Sequence, residues 1–143
     1  MKKLVLLGIL IGLFIGAEAQ SNLTVNIKGI DEPKGDLYIA LYDANVPFLS
    51  SKAISGKIVK INDKSVDVTF EGLNDGEHAI AIYQDENSNA KLDLGEWGIP
   101  MEKYGFSNNI DPASLRRPPV FDECKFEVKG NTTITINLVS AIK

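Results

Sequence analysis

Twelve consecutive residues, Asp85-Glu86-Asn87-Ser88-Asn89-Ala90-Lys91-Leu92-Asp93-Leu94-Gly95-Glu96, gather hard oxygen donors at the spacing of a calcium loop. Calcium takes about six to eight oxygens at roughly 2.3–2.6 Å, and such loops supply them from positions 1, 3, 5, 7, 9 and 12. Here Asp85, Asn87 and Asn89 offer side-chain oxygens, and Lys91 offers its backbone carbonyl. Asp93 stands at the ninth position, and Glu96 at the twelfth can bind through both oxygens. Leu92 is the apolar anchor. The carboxylates of Asp85, Asp93 and Glu96 repel one another unless a cation lies between them. The sixth position wants glycine and holds Ala90, and alanine at positive φ costs roughly 1 kcal/mol. That weakens a site without abolishing it. The competing reading is a polar hairpin loop, rich in Asp and Asn because both tolerate turns; six donors in place favour calcium. A strand pattern enters the loop and Trp97-Gly98-Ile99-Pro100 leaves it, so there is no helix pair to open and close. The expectation is a fixed structural ion held at about 10⁻⁴–10⁻³ M or slightly tighter.

A second group is aromatic. Trp97, Tyr104 and Phe106 can form a platform on which a sugar or peptide stacks. The competing reading has them plugging the sandwich edge, the commoner fate of aromatics in ordered loops. Other chemistry is poorly served. His78 is the only histidine and has no partner for a zinc site, and no Gly-x-Ser-x-Gly elbow marks a serine nucleophile. Cys124, the only cysteine, has no partner for an internal disulfide. Its alternation with Phe126 and Val128 reads as a small buried apolar residue on a strand. The pair Arg116-Arg117 reads as solvated.

The elements that must position these residues are strands. Leu23, Val25 and Ile27 alternate with Thr24, Asn26 and Lys28, the period of a half-buried strand. Leu37 to Tyr42 and His78 to Tyr83 are apolar on both faces, as central strands are. Lys57–Ile61 and Ser65–Phe70 flank Asn62-Asp63-Lys64 like a hairpin. Phe121–Val128 and Thr132–Val139 form a final pair joined at Lys129-Gly130-Asn131. About seven short strands without a convincing amphipathic helix predict an all-β, antiparallel, two-sheet sandwich. Gly98 to Pro119 is the exception, a long irregular segment containing Pro100, Pro112, Pro118 and Pro119.

The first residues set the location. Lys2 and Lys3 precede an apolar run from Leu4 to Gly16, and Ala17-Glu18-Ala19 gives small residues at a cleavage site. The run has 13 residues, against about 20 needed to cross a bilayer as a helix. Residues 1–19 therefore read as a cleaved signal peptide, with 20–143 a single domain in the periplasm or outside the cell. Loss of Lys2, Lys3 and Glu18 leaves 13 basic and 18 acidic residues, a net charge of about −5. That balance argues against nucleic acid or anionic lipid surfaces as partners, which require a cationic face.

Asp85-Glu86-Asn87, Asn89, Lys91-Leu92-Asp93, Gly98-Ile99-Pro100, the run Tyr104-Gly105-Phe106-Ser107-Asn108-Asn109, Pro118-Pro119 and Phe121 to Phe126 together resemble the bacterial secreted proteins of domain-of-unknown-function family 2141. The resemblance spans nearly the whole chain after residue 19. It implies an exported β-sandwich of immunoglobulin-like or transthyretin-like type and brings no activity. The chain departs from the family pattern at Ser88 and Ala90, where glycine is usual, and at Arg117 and Cys124, where Gly and a small residue are usual. The expectation is a non-enzymatic exported domain binding structural calcium. The alternative is a carbohydrate- or peptide-binding module using the aromatic segment.

Overall fold

The computed structural model describes residues 19–142, so the proposed leader lies outside the described residues except for Ala19. Eight strands form two facing sheets: β1 (Ser21–Lys28), β2 (Asp36–Asp43), β3 (Ser55–Lys60), β4 (Val66–Leu73), β5 (Gly76–Asp85), β6 (Tyr104–Phe106), β7 (Phe126–Val128) and β8 (Asn131–Asn137). The smaller sheet runs β4-β1-β8, and the larger runs β3-β2-β5 with β6 and β7 both on the free side of β5. The all-β sandwich is as the alternating patterns require, with one more strand than the seven expected. Among the described residues no helix is long and apolar enough to cross a membrane.

Leu23, Val25 and Ile27 of β1 meet Leu37, Ile39 and Leu41 of β2, Ile80 and Ile82 of β5, and Phe70 of β4 in one core. All of these are at most 3% exposed or nearly so, and each is worth roughly 1.5–3 kcal/mol on burial. The period of two thus does what it predicts: one face of every long strand is sealed from water.

Three expectations are corrected. Lys57–Ile61 and Ser65–Phe70 do not form a hairpin, because β3 pairs with β2 and β4 with β1. The connection Asn62-Asp63-Lys64 instead crosses between sheets. Likewise β7 pairs with β5 while β8 lies parallel to β1, so Lys129-Gly130 is a second crossing and the sandwich is not wholly antiparallel. Phe121 to Val128 is not one strand: Phe121–Cys124 is a single helical turn followed by β7. Pro118-Pro119 prevents earlier pairing, and Glu123 accepts the Val120 N–H at 2.9 Å, capping that turn.

Cys124 is buried as expected, though on this turn and not on a strand. Burial first, and the charge of Glu123 second, push its thiol up to about 11. The segment Gly98 to Pro119 is also more regular than its prolines suggest. It holds β6 and a helical turn at Pro112–Leu115, capped by Asp111 accepting from the Ala113 N–H at 2.9 Å.

Candidate functional site

β5 ends at Asp85, which is completely buried. A buried carboxylate is costly unless hydrogen-bonded, and both oxygens are engaged: Asn89 N–H donates to Oδ1 at 3.1 Å and Ala90 N–H to Oδ2 at 2.8 Å. Asn87 Oδ1 also accepts from Asn89 N–H at 3.1 Å, and Asn89 Oδ1 accepts from Lys91 N–H at 2.9 Å. Asp93 receives the Asn87 amide at 2.6 Å and the Asn89 amide at 2.8 and 3.0 Å. Asp85, Asn87, Asn89 and Asp93 are thus brought into one polar knot. The Lys91 N–H points into that knot while the residue is exposed. Glu96 is exposed in the 3₁₀ turn Glu96–Gly98 and has no hydrogen-bond or ion-pair partner for its side chain among the described residues. No group of three or more His, Cys, Asp or Glu side chains among the described residues is arranged to hold a metal ion.

Glu102 was not singled out by spacing, yet it anchors the loop. It is 6% exposed; Oε1 accepts from Glu86 N–H at 2.9 Å and Oε2 from Asp93 N–H at 3.1 Å. Its only sequence signal is an acidic residue two positions after Pro100, and nothing periodic distinguishes it from the exposed acids. Gly35 is the matching constraint beneath the loop. Its φ is +74°, and a Cβ there would lie 1.9 Å from the Asp85 carbonyl oxygen, so only glycine lets the preceding turn cross the end of β5.

Beyond Asp93 the chain makes a small hairpin. Leu94 pairs with Pro100, and Gly95 N–H reaches the Ile99 carbonyl at 2.8 Å. Met101 N–H reaches the Asp93 carbonyl at 2.8 Å, so the residue that closes the polar knot also forms the hairpin base. Trp97 sits at the tip with φ 61° and is 94% exposed.

This hairpin is one wall of a groove of about 1120 Å³ on the outer face of the larger sheet. Strand register makes the floor. Ile58, Tyr38, Tyr83 and Tyr104 lie in one cross-strand row, and Gly56, Ala40, Ala81 and Phe106 in the next. Tyr38 and Tyr83 stack with centroids 4.9 Å apart and planes at 9°. The small side chains of the second row leave a trough beside those rings. Burial first, then the neighbouring Tyr38, Asp85 and Glu102, push the Tyr83 phenol up to about 12, so the floor stays neutral at ordinary pH. Trp97, Tyr104 and Phe106 all line the groove. Tyr104 is also 4% exposed and exchanges backbone hydrogen bonds with Val139, so it plugs the sandwich edge as well.

The opposite wall runs from Pro112 to Pro119. Arg117 is not simply solvated: its guanidinium forks onto Glu123 at 3.0 and 2.7 Å. That contact, then the Val120 N–H, holds the Glu123 carboxyl down at about 2. Ser107-Asn108-Asn109 ties this region to the sandwich. The Ser107 hydroxyl accepts from Ile80 N–H at 2.9 Å and donates to the Cys124 carbonyl at 2.6 Å. The Asn108 amide donates to the carbonyls of Glu123 and Lys125 at 3.1 and 2.9 Å. Asn109 accepts from Asn137 N–H of β8 at 2.8 Å. Asn108 and Asn109 both lie at positive φ, which asparagine tolerates.

A β-sandwich with a grooved outer sheet and an Asp/Asn loop defines the class. The chain belongs to the family described as "Uncharacterized protein conserved in bacteria (DUF2141)", whose profile matches residues 25–136. No curated protein and no solved structure matches it.

Ser88 and Ala90, at φ 58° and 62°, occupy the left-handed region that glycine adopts without cost. Ala90→Gly relieves roughly 1 kcal/mol of strain and raises the melting temperature by about 4 °C; an unchanged or lower value in a thermal melt counts against a strained loop. Glu123, ordinarily near 4.5, is held down to about 2, so its contribution is complete above about pH 4.5 and lost as pH falls through 2. Hydrogen exchange at Val120 accelerates, relative to its intrinsic rate, across that acid window, and Glu123→Gln shows the faster relative exchange already at neutral pH.

Proposed function

We propose that this chain is an exported binding domain, without catalytic chemistry of its own, that takes a ligand of extended apolar surface in the groove. One observation carries the reading: Trp97 at the tip of its hairpin and Tyr104 and Phe106 on β6 all line the same trough. Ligand sites of drug-sized molecules are concave, mostly apolar, and roughly 300–1,000 Å³, close to the size of this one. Trp97 strengthens the case, because a large aromatic held exposed at positive φ is backbone strain without burial to offset it.

Calcium enters as the support of one wall. Asp85, Asn87, Asn89 and Asp93 would supply side-chain oxygens to the ion, replacing the amide protons that face Asp93. Lys91 would add its carbonyl, and Glu96 would have to turn inward from its exposed position to complete the set. What supports this reading is the shared residue: Asp93 belongs both to the polar knot and to the base of the Trp97 hairpin. Fixing Asp93 therefore fixes the wall.

Both halves are measurable. Nile red, a neutral apolar dye, binds one per chain with enhanced emission, and Ala40→Trp, which fills the trough, abolishes the signal. Retained emission in that variant would place the dye elsewhere and sink the groove. Calcium at about a hundred times its Kd adds ~2.7 kcal/mol of stability and slows proteolysis between Leu94 and Pro119. Asp93→Asn removes both effects; equal cleavage with calcium and with chelator overturns the metal reading.

A further inference from the structure

Resting on the groove as a binding site, we infer that its ligand is a single-chain amphiphile with an anionic head, a long-chain carboxylate, whose tail lies along the trough and whose head meets Arg116. Three observations combine. The first is what the lining lacks: among the described residues no Asp, Glu, Asn, Gln, Ser, Thr or His side chain contributes to it. The polar side chains that remain are the tyrosine hydroxyls, the Trp97 indole and the basic residues, fewer than the many hydroxyls of a sugar or the backbone amides of an extended peptide would pair with. Aliphatic carbon is well served by the Gly56-Ala40-Ala81 floor and by the tyrosine rings beside it.

The second is charge. The chain carries 19 acidic residues against 15 basic, yet the three charged residues lining the groove are Lys57, Arg116 and Arg117. Lys57 stands opposite the core-facing Ile39, on the other side of the sheet from the trough, with its ammonium 5.6 Å from the centre of the Phe70 ring. Arg117 is spent on Glu123. Arg116 is exposed and has no ion-pair partner among the described residues. One cation without an ion-pair partner in the wall of an otherwise neutral trough is the pattern that a carboxylate head complements.

The third is the distribution of exposed apolar side chains. Trp97 at 94%, Ile58 at 64% and Leu94 at 58% are the most exposed large hydrophobic residues described, and all three line this groove. An acyl chain would cover them together, whereas scattered surface apolar residues would share no single cover.

Trp97 is the only tryptophan and therefore a built-in reporter. Titration of the purified protein with oleate, below its critical micelle concentration, shifts the Trp97 emission to the blue and saturates at one per chain. Methyl oleate, which has the same tail without the charge, binds at least about tenfold more weakly, the ordinary loss of one hydrogen bond to a charged group. Arg116→Ala weakens oleate by the same factor and leaves methyl oleate unchanged, and Ala40→Phe, which fills the trough without adding a second indole, abolishes both. If acid and ester bind equally, or Arg116→Ala affects both alike, the anionic head is wrong while the apolar groove stands. If neither lipid nor Nile red binds, the groove reading falls as well. A Trp97 shift that instead follows protein concentration, with a dimer in sedimentation, assigns the face to a second copy and overturns the proposal.

Discussion

The carboxylate of Asp85, sealed at the end of β5, is the interaction on which the Asp85 to Glu102 half of the groove's walls depends. Water cannot solvate it, so the chain must, and it does so by folding Asn89 and Ala90 back over it. That return places Asn87 and Asn89 against Asp93, and Asp93 carries the hairpin whose tip is Trp97. Glu102 then clasps the same loop from the other side through two backbone amides. Leaving a buried hydrogen-bonding group without its partner costs about 1–3 kcal/mol, so either acid is a single point at which the whole wall would loosen.

The larger sheet works on both faces for one reason. β2 and β5 alternate apolar residues inward with tyrosine and alanine outward, so the strands that build the core also floor the groove. Rigidity is inherited: the floor cannot move without disturbing the packed interior beneath it. The two walls lack that backing. They are held by polar contacts, with the Asp93 and Glu102 knot on one side and the Arg117–Glu123 fork on the other. The groove thus combines a rigid floor with polar-tethered walls.

Much of this was legible in the residues. Leu23 to Lys28 and His78 to Tyr83 declare their strands by a period of two and by double apolarity, and the sandwich follows. Ala90 at positive φ was legible because the loop template demands it there. Partnership was not, since alternation says which side of a strand is buried and nothing about which strand lies beside it. That is why β3 and β4 read as a hairpin and β7 and β8 as a pair, although each sits in the opposite sheet from its neighbour in sequence. Phe121 to Cys124 imitated a strand because four residues are too few to separate periods of 2 and 3.6. Glu102 was invisible because its burial is created by contacts from Glu86 and Asp93, not by its own neighbours.

The parallel pairing of β1 with β8 sets an order of assembly. Asn22 lies opposite Asn131 and Lys28 opposite Asn137, so the smaller sheet takes its middle strand from one end of the described chain and an edge strand from the other. β1 and β4 can meet early, but the middle strand of that sheet stays half-paired until the final strand is delivered. Contacts of such long sequence separation close slowly. The sandwich therefore cannot shut until the residues of β8 have reached β1, whatever the rest of the chain has already formed.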